Sequence, residues 1–233
     1  MTKVICGVMA LALLPTSALA ASKDDPVLAK VMIDQLEVRS TDGPDPWVLD
    51  AQAWIGRDLD KLWFKTEVEK VGNETEEAEL QALYSRAIAP YWDFQVGWRH
   101  DFKPDPSRDW LAVGIEGLAP YWFEVDAALF IGGNSQVAAR IEAEYEWMLT
   151  QRWVLSPELE VNIHSEDDES TGVGSGVSDL ELGLRLRYEV RREFAPYIGV
   201  NWSKLFGNTA DFAREEGEDT DDVQFVAGIR AWF

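Results

Sequence analysis

Cysteine is all but missing. Its single occurrence, Cys6, falls in a start made of Met1-Thr2-Lys3, an apolar run from Val4 to Leu14 and the small-residue close Pro15-Thr16-Ser17-Ala18-Leu19-Ala20. These are the three parts of a secretory signal peptide, with cleavage expected after Ala20. From Ala21 onward the chain then has no thiol, which removes disulfides, cysteine nucleophiles and thiolate ligands. Soft and imidazole ligands are scarce too. Beyond the signal segment they are Met32, Met148, His100 and His164.

Basic residues are few. Twenty-one Lys and Arg stand against 42 Asp and Glu, a formal net charge of −21. Such a balance argues against nucleic acid or anionic lipid heads as partners and favours cations. Long hydrophobic runs are also absent after the signal segment, whose own apolar run is shorter than the roughly 20 residues a spanning helix needs. If this chain enters a bilayer, it crosses as strands.

What is present is alternation. Read backwards from the carboxyl terminus, Phe233, Ala231, Ile229, Ala227, Phe225 and Val223 share one face, while Trp232, Arg230, Gly228 and Gln224 share the other. One wholly apolar face and one mixed face are what a lipid-facing β-strand shows. About a dozen such rows follow one another from Val31. The row Leu180, Leu182, Leu184, Leu186 and Tyr188, interleaved with Asp179, Glu181, Gly183, Arg185 and Arg187, is the clearest. The first row changes parity between Ile33 and Leu36, which predicts a bulge near Asp34-Gln35.

Connections alternate between short (Arg57–Asp60, Ala89-Pro90, Ala119-Pro120, Thr150-Gln151, Arg191–Glu193) and long and polar (Ser40–Pro46, Val71–Glu77, Asp101–Asp109, Gly132–Ser135, Ser165–Gly176, Leu205–Asp222). Short turns on one side and long loops on the other are the habit of outer-membrane barrels. The triplet Ala-Pro-Tyr recurs at Ala89, Ala119 and Ala195, each time at an expected short turn, with aromatics placed for an interfacial girdle. A water-soluble sandwich shares the single-strand pattern. The signal peptide, the alternating turns and the aromatics at row ends favour the membrane.

The expectation is therefore an all-β protein: a single antiparallel transmembrane β-barrel of about 12 strands with periplasmic termini, in the outer membrane of a Gram-negative bacterium and in contact with its lipid. Residues 1–20 form the signal peptide, 21–28 a short periplasmic linker and 29–233 the barrel. Taking the parity opposite to the apolar rows, fifteen acids face the lumen against Lys65, Arg99, Arg140, Arg185, Arg187 and Arg230. Glu142, Glu144, Glu158, Glu160, Arg185 and Arg187 are expected to form a cross-strand network, with Arg230 bracing the same wall. The excess acid makes the lumen attractive to cations.

Several stretches resemble the copper resistance protein B family of outer-membrane proteins. They are Val31-Met32-Ile33-Asp34-Gln35-Leu36-Glu37, Lys61-Leu62-Trp63-Phe64-Lys65-Thr66-Glu67, Leu83 to Asp93, Leu184 to Trp202, Ala210-Asp211-Phe212-Ala213-Arg214 and the final Gln224 to Phe233. The resemblance implies a barrel that binds or conducts copper ions in copper homeostasis or export, often alongside a periplasmic multicopper oxidase. Copper would be cargo rather than a catalytic cofactor. Many members carry a methionine- and histidine-rich segment ahead of the barrel. Ala21 to Leu28 has neither residue.

Thioether and imidazole suit copper, so the candidate ligands are His164 with its row-mates Glu160 and Glu158, and the inward pair Met32 and Met148 near the periplasmic mouth. His100 shares parity with Trp98 and should leave the lumen wall. A non-enzyme is expected, since the neighbours His100-Asp101 and His164-Ser165 point to opposite faces and assemble no relay. The alternative to a copper protein is a cation-selective diffusion channel or a passive structural barrel.

Overall fold

The computed structural model describes residues 25–41, 43–133 and 136–233. The expected signal peptide, and residues 21–24 of the expected linker, lie outside the described residues. Strands β1 (Leu28–Ser40), β2 (Pro46–Gly56), β3 (Asp60–Val71), β4 (Glu74–Ala89), β5 (Trp92–Lys103), β6 (Arg108–Ala119) and β7 (Phe123–Gly132) follow one another as antiparallel neighbours. They continue through β8 (Val137–Tyr145) and β9 (Trp147–Met148) to β10 (Trp153–His164), β11 (Gly176–Tyr188), β12 (Phe194–Leu205) and β13 (Asp221–Trp232). The short β9 prolongs β8 past a break at Glu146, and both pair with β10. Because β13 pairs with both β12 and β1, the thirteen segments close into a twelve-stranded antiparallel barrel.

Closure follows from the alternation. Leu62, Phe64, Leu182, Leu184 and Phe225 stand exposed on the outside, and their neighbours in sequence turn inward. An apolar outer face with polar residues inside has lipid as its solvent. Among the described residues no helix is long and apolar enough to cross a membrane. The expected bulge is present, since the register of β1 shifts between Ile33 and Leu36 against β13 and between Ile33 and Gln35 against β2. The shift returns Leu36 and Val38 to the lipid side and sends Glu37 and Arg39 inward.

Two expectations are corrected. Val71 to Glu77 is not a long loop: β3 and β4 run on to a two-residue turn, Gly72-Asn73, with Gly72 at φ +61. Glycine at the first central position with positive φ suits a type II′ hairpin. The long connection expected from Leu205 to Asp222 is present and contains helix α1 (Gly207–Glu216), which ends on Gly217 in the left-handed region at φ +86. The third Ala-Pro-Tyr copy is no turn. Pro90-Tyr91 and Pro120-Tyr121 do occupy turns, with both tyrosines at positive φ and exposed, but Pro196-Tyr197 lies inside β12 and Tyr197 is buried.

Candidate functional site

The inward parity of all twelve strands creates a cavity of about 410 Å³ inside the barrel. Twelve of its lining residues are acids and six are bases. The acids are not scattered. Five of them, Glu116, Asp126, Glu142, Glu160 and Glu181, together with Asp93 beyond the lining, sit directly opposite one another on β6, β7, β8, β10, β11 and β5. Neighbouring strands lie about 4.8 Å apart, and like charges directly opposite destabilise a ladder. This row therefore needs counter-charge.

Most of that charge comes from four bases reaching in from other rows. Lys61 meets Asp93 at 3.0 Å; Lys65 meets Glu116 at 3.1 Å and also Asp126. Arg140 lies 3.4 Å from Glu160, and Arg39 lies 3.4 Å from Glu181. Glu142 has no hydrogen-bond or ion-pair partner among the described residues, and neither do the cavity-lining Asp50 and Glu124.

Elsewhere the bases bind pairs of acids. Arg185 joins Glu37 at 2.9 Å and Glu158, Arg187 joins Glu144 at 3.3 Å and Glu146, and Arg230 reaches Glu146 at 2.9 Å and Asp34 at 3.5 Å. Arg140 joins Glu67 and Glu79, both at 3.1 Å, while Arg99 lies 2.7 Å from Glu79. Glu67, Glu77 and Glu79 bring carboxylate oxygens within 4.8 Å of one another. Arg140 and Arg99 compensate Glu67 and Glu79; Glu77 has no ion-pair partner among the described residues.

The candidate ligands do not converge. His164, Glu160 and Glu158 share the inner face of β10, but residues four and six apart on a strand are separated by roughly 13 and 20 Å, so they cannot hold one ion. His164 Nδ1 lies 3.2 Å from Ser178 Oγ, Glu160 accepts from Asn162 at 2.8 Å, and Glu158 is taken by Arg185 and by Gln35 at 2.9 Å. Met32 is 9 % exposed and belongs to an inward apolar cluster with Trp63, Leu83 and Phe130, whereas Met148 is 55 % exposed on β9. The two stand on well-separated strands of the wall. His100 stacks on Trp98 at 5.5 Å and lies 2.8 Å from Asp109, clear of the cavity.

Sequence reasoning missed the best-ordered part of the lumen. The Glu37 side chain is 0 % exposed and accepts hydrogen bonds from Arg39 Nε at 2.9 Å, Arg185 Nε at 3.0 Å and the Tyr197 hydroxyl at 2.9 Å. It thus ties β1 to β11 and β12 across the closing strand β13. The outward placement of Leu36 and Val38 already implied that Glu37 and Arg39 turn inward.

The long-loop end carries a cap. Residues 165–175 lean across the rim to β6, where Arg108 pairs with Asp168 and donates to Ser170 at 3.0 Å, although β7 and β8 intervene. Gln136 holds Asp168 at 3.1 Å, and Asn208 of α1 holds Asp167 at 3.0 Å. The backbone N–H of Gly174 donates to Thr209 at 2.9 Å. Burial pushes the Asp168 carboxyl up, but hydrogen bonds from Ser170 and the Arg108 charge outweigh it and hold the group below its ordinary range. Donors from Ser175 and Asn208 hold Asp167 low in the same way.

A closed antiparallel barrel with an acid-rich interior narrows the possibilities, and comparison with known proteins decides among them. A profile of the copper resistance protein B precursor family matches residues 27–233. The chain belongs to the copper resistance protein B family. It is 47 % identical over 213 residues to copper resistance protein B of Escherichia coli, covering 91 % of this chain and 72 % of that protein. It is 42 % identical over 210 residues to a copper resistance protein B homolog of Pseudomonas syringae pv. tomato, covering 90 % and 71 %.

Among solved structures, the NanC porin aligns with a TM-score of 0.56 at 12 % identity over 88 % of this chain and 99 % of that one. The KdgM porin aligns with 0.54 at the same identity and coverage. At such identity the likeness concerns the fold. Together with the apolar outer belt, it makes this family member an outer-membrane barrel.

Proposed function

We propose that this barrel binds or conducts copper ions at the outer membrane and so contributes to copper homeostasis or export. The observation that carries the reading is a cavity lined by twelve acids and six bases in a member of the copper resistance protein B family. A confined, acid-rich cavity concentrates cations. The short turns and both termini are assigned to the periplasmic side, where a multicopper oxidase is the partner implied by the family resemblance.

The reading involves no catalysis. Ser178 is buried and donates to Asp179 at 2.8 Å, so the carboxylate engages the serine rather than His164, which is not the order of a nucleophilic relay. Deleting the gene and titrating copper in the medium tests the function. Growth inhibition at lower copper and altered periplasmic copper are expected, and unchanged values of both would overturn it. The same cavity supports a second reading, a cation-selective diffusion channel. A steady ohmic current across a planar bilayer, indifferent to added copper, would favour the channel.

A further inference from the structure

We propose that the lumen cavity binds hydrated divalent cations through oxygen donors alone, and that copper occupies it as Cu(II) rather than Cu(I). The second half rests on the copper reading above; the first stands on the cavity itself.

Three observations carry it. First, the residues lining the 410 Å³ cavity include no methionine, histidine or cysteine. Every side-chain donor with a lone pair to offer is a carboxylate, an amide or a hydroxyl. Thioether and thiolate select Cu(I), whereas carboxylates and water suit harder divalent ions. Met32 is buried in the apolar cluster, Met148 is exposed, and neither is part of the lining.

Second, Asp50, Glu124 and Glu142 line the cavity without a hydrogen-bond or ion-pair partner among the described residues. Glu142 is flanked directly by Asp126 and Glu160, and the bases nearest to it, Lys65 and Arg140, are taken by those two neighbours. The six bases are already shared among the other acids, so these three carboxyls are left to take up either protons or cations from solution.

Third, Ser156 is 3 % exposed, lines the same cavity, and its Oγ has no hydrogen-bond partner among the described residues. A buried hydroxyl without a partner costs about 1–3 kcal/mol. A hydrated ion in the cavity supplies the missing hydrogen bond through one of its waters. A cavity of this size admits a cation with water still attached.

Two consequences follow. Ligand softness does not single out copper here, so Mn(II) competes for the cavity. The order of affinity for oxygen donors then places Cu(II) above Mn(II).

The test uses the full barrel extracted from outer membranes in detergent, titrated separately with Cu(II), Mn(II) and Cu(I) buffered by bicinchoninate. Electron paramagnetic resonance reads the donor atoms. The Cu(II) spectrum should lack nitrogen splitting, Mn(II) should displace part of the Cu(II), and Cu(I) should stay with the chelator. The triple amide variant Asp50→Asn, Glu124→Gln, Glu142→Gln should weaken Cu(II) binding by ~10-fold or more. His164→Ala and Met32→Ala should leave it unchanged. Heat-modifiable migration on gels confirms that each variant is a folded barrel.

Nitrogen splitting that vanishes in His164→Ala, tight Cu(I) retention that vanishes in Met32→Ala, or no uptake of either divalent ion would each overturn the proposal. Oxygen-only Cu(II) binding in a barrel whose deletion leaves copper sensitivity unchanged would instead remove the copper role and leave the cavity chemistry standing.

Discussion

Replacing Glu37 with alanine should destabilise the barrel more than any other single truncation in the lumen. Its carboxylate is fully buried between Arg39 and Arg185 and also accepts the Tyr197 hydroxyl. Without it, Arg185 keeps only Glu158 and Gln35, Arg39 keeps Glu181 at 3.4 Å, and Tyr197 keeps no side-chain partner. Breaking a buried ion pair by removing one partner costs about 3–5 kcal/mol, and orphaning a buried hydroxyl adds about 1–3 kcal/mol. The two overlap, since all these groups belong to one network. A net loss of about 4 kcal/mol corresponds to about a thousandfold shift of the unfolding equilibrium. It is large beside the 5–15 kcal/mol typical of a whole domain.

Urea unfolding in detergent micelles, followed by the fluorescence of the eleven tryptophans, measures the loss. Glu181→Ala is the control. Its side chain is 34 % exposed, meets Arg39 at 3.4 Å and accepts from buried Asn201 at 3.0 Å, so about 1–3 kcal/mol, less than for Glu37, is expected. The double variant Glu37→Ala, Arg185→Ala should be less destabilised than the sum of its single variants, because neither charge is left facing an empty partner. A loss under about 1 kcal/mol for Glu37→Ala, or strict additivity in the cycle, would refute the view that this network fastens β1 to the end of the chain.

Gly228 faces Glu37 across the closing pair, and a Cβ there would lie 2.6 Å from the Tyr197 hydroxyl and 2.7 Å from Glu37 Cβ. Gly228→Ala should therefore cost about 1–3 kcal/mol in the same unfolding assay, and Tyr197→Phe should recover part of it. Met32→Ala should cost about 2–5 kcal/mol and Met148→Ala under about 0.5 kcal/mol, since one is buried and the other exposed; equal losses would contradict their placement. The cap should respond to acid. Asp167 and Asp168 are held below their ordinary values, so their contribution is complete above about pH 5 and is lost as pH falls through the folded values, below about pH 4. A spin label at Glu169→Cys, in a barrel without other cysteines, should stay ordered from pH 7 to 5 and become mobile only below that window; mobility already rising between pH 7 and 5 would contradict the latch.

Period-two alternation made the barrel legible, because a row that faces lipid must be apolar at every second position, whatever the loops do. The same rule found the bulge, since the parity change between Ile33 and Leu36 admits no other backbone. It failed where polarity was taken for irregularity. Glu74 to Glu77 looked like loop because it is charged, yet Glu77 faces the lumen like Glu79, and a strand whose inside is acidic need not stop where the acids begin. Helix α1 was lost for a related reason. Its apolar residues are Ala210, Phe212 and Ala213, of which only the two alanines are buried, too few to stand out among acids. The lumen residues could be assigned to the inside by parity, but not to one another. Which arginine meets which glutamate depends on reach across the cavity, and Arg185 meets Glu37, 148 positions earlier.

The row Asp93, Glu116, Asp126, Glu142, Glu160, Glu181 is the feature least explained by folding alone. Six acids in direct register on adjacent strands repel one another, and four bases from other rows are needed to hold five of them. Alternating signs around the wall would close the same barrel with less strain and no excess charge. Barrel strands tilt by about 35–45°, so a line of directly opposed residues does not circle the lumen at one height. It climbs from one end of the barrel toward the other. On the function proposed above, an acidic line that climbs, with an unpaired carboxylate at Glu142 part-way along it, would serve cations as a path along the wall rather than as a single binding point. Neutralising the base-free member alone should then lower cation passage without opening the seam at Glu37, because Glu142 belongs to none of the pairs that fasten the strands.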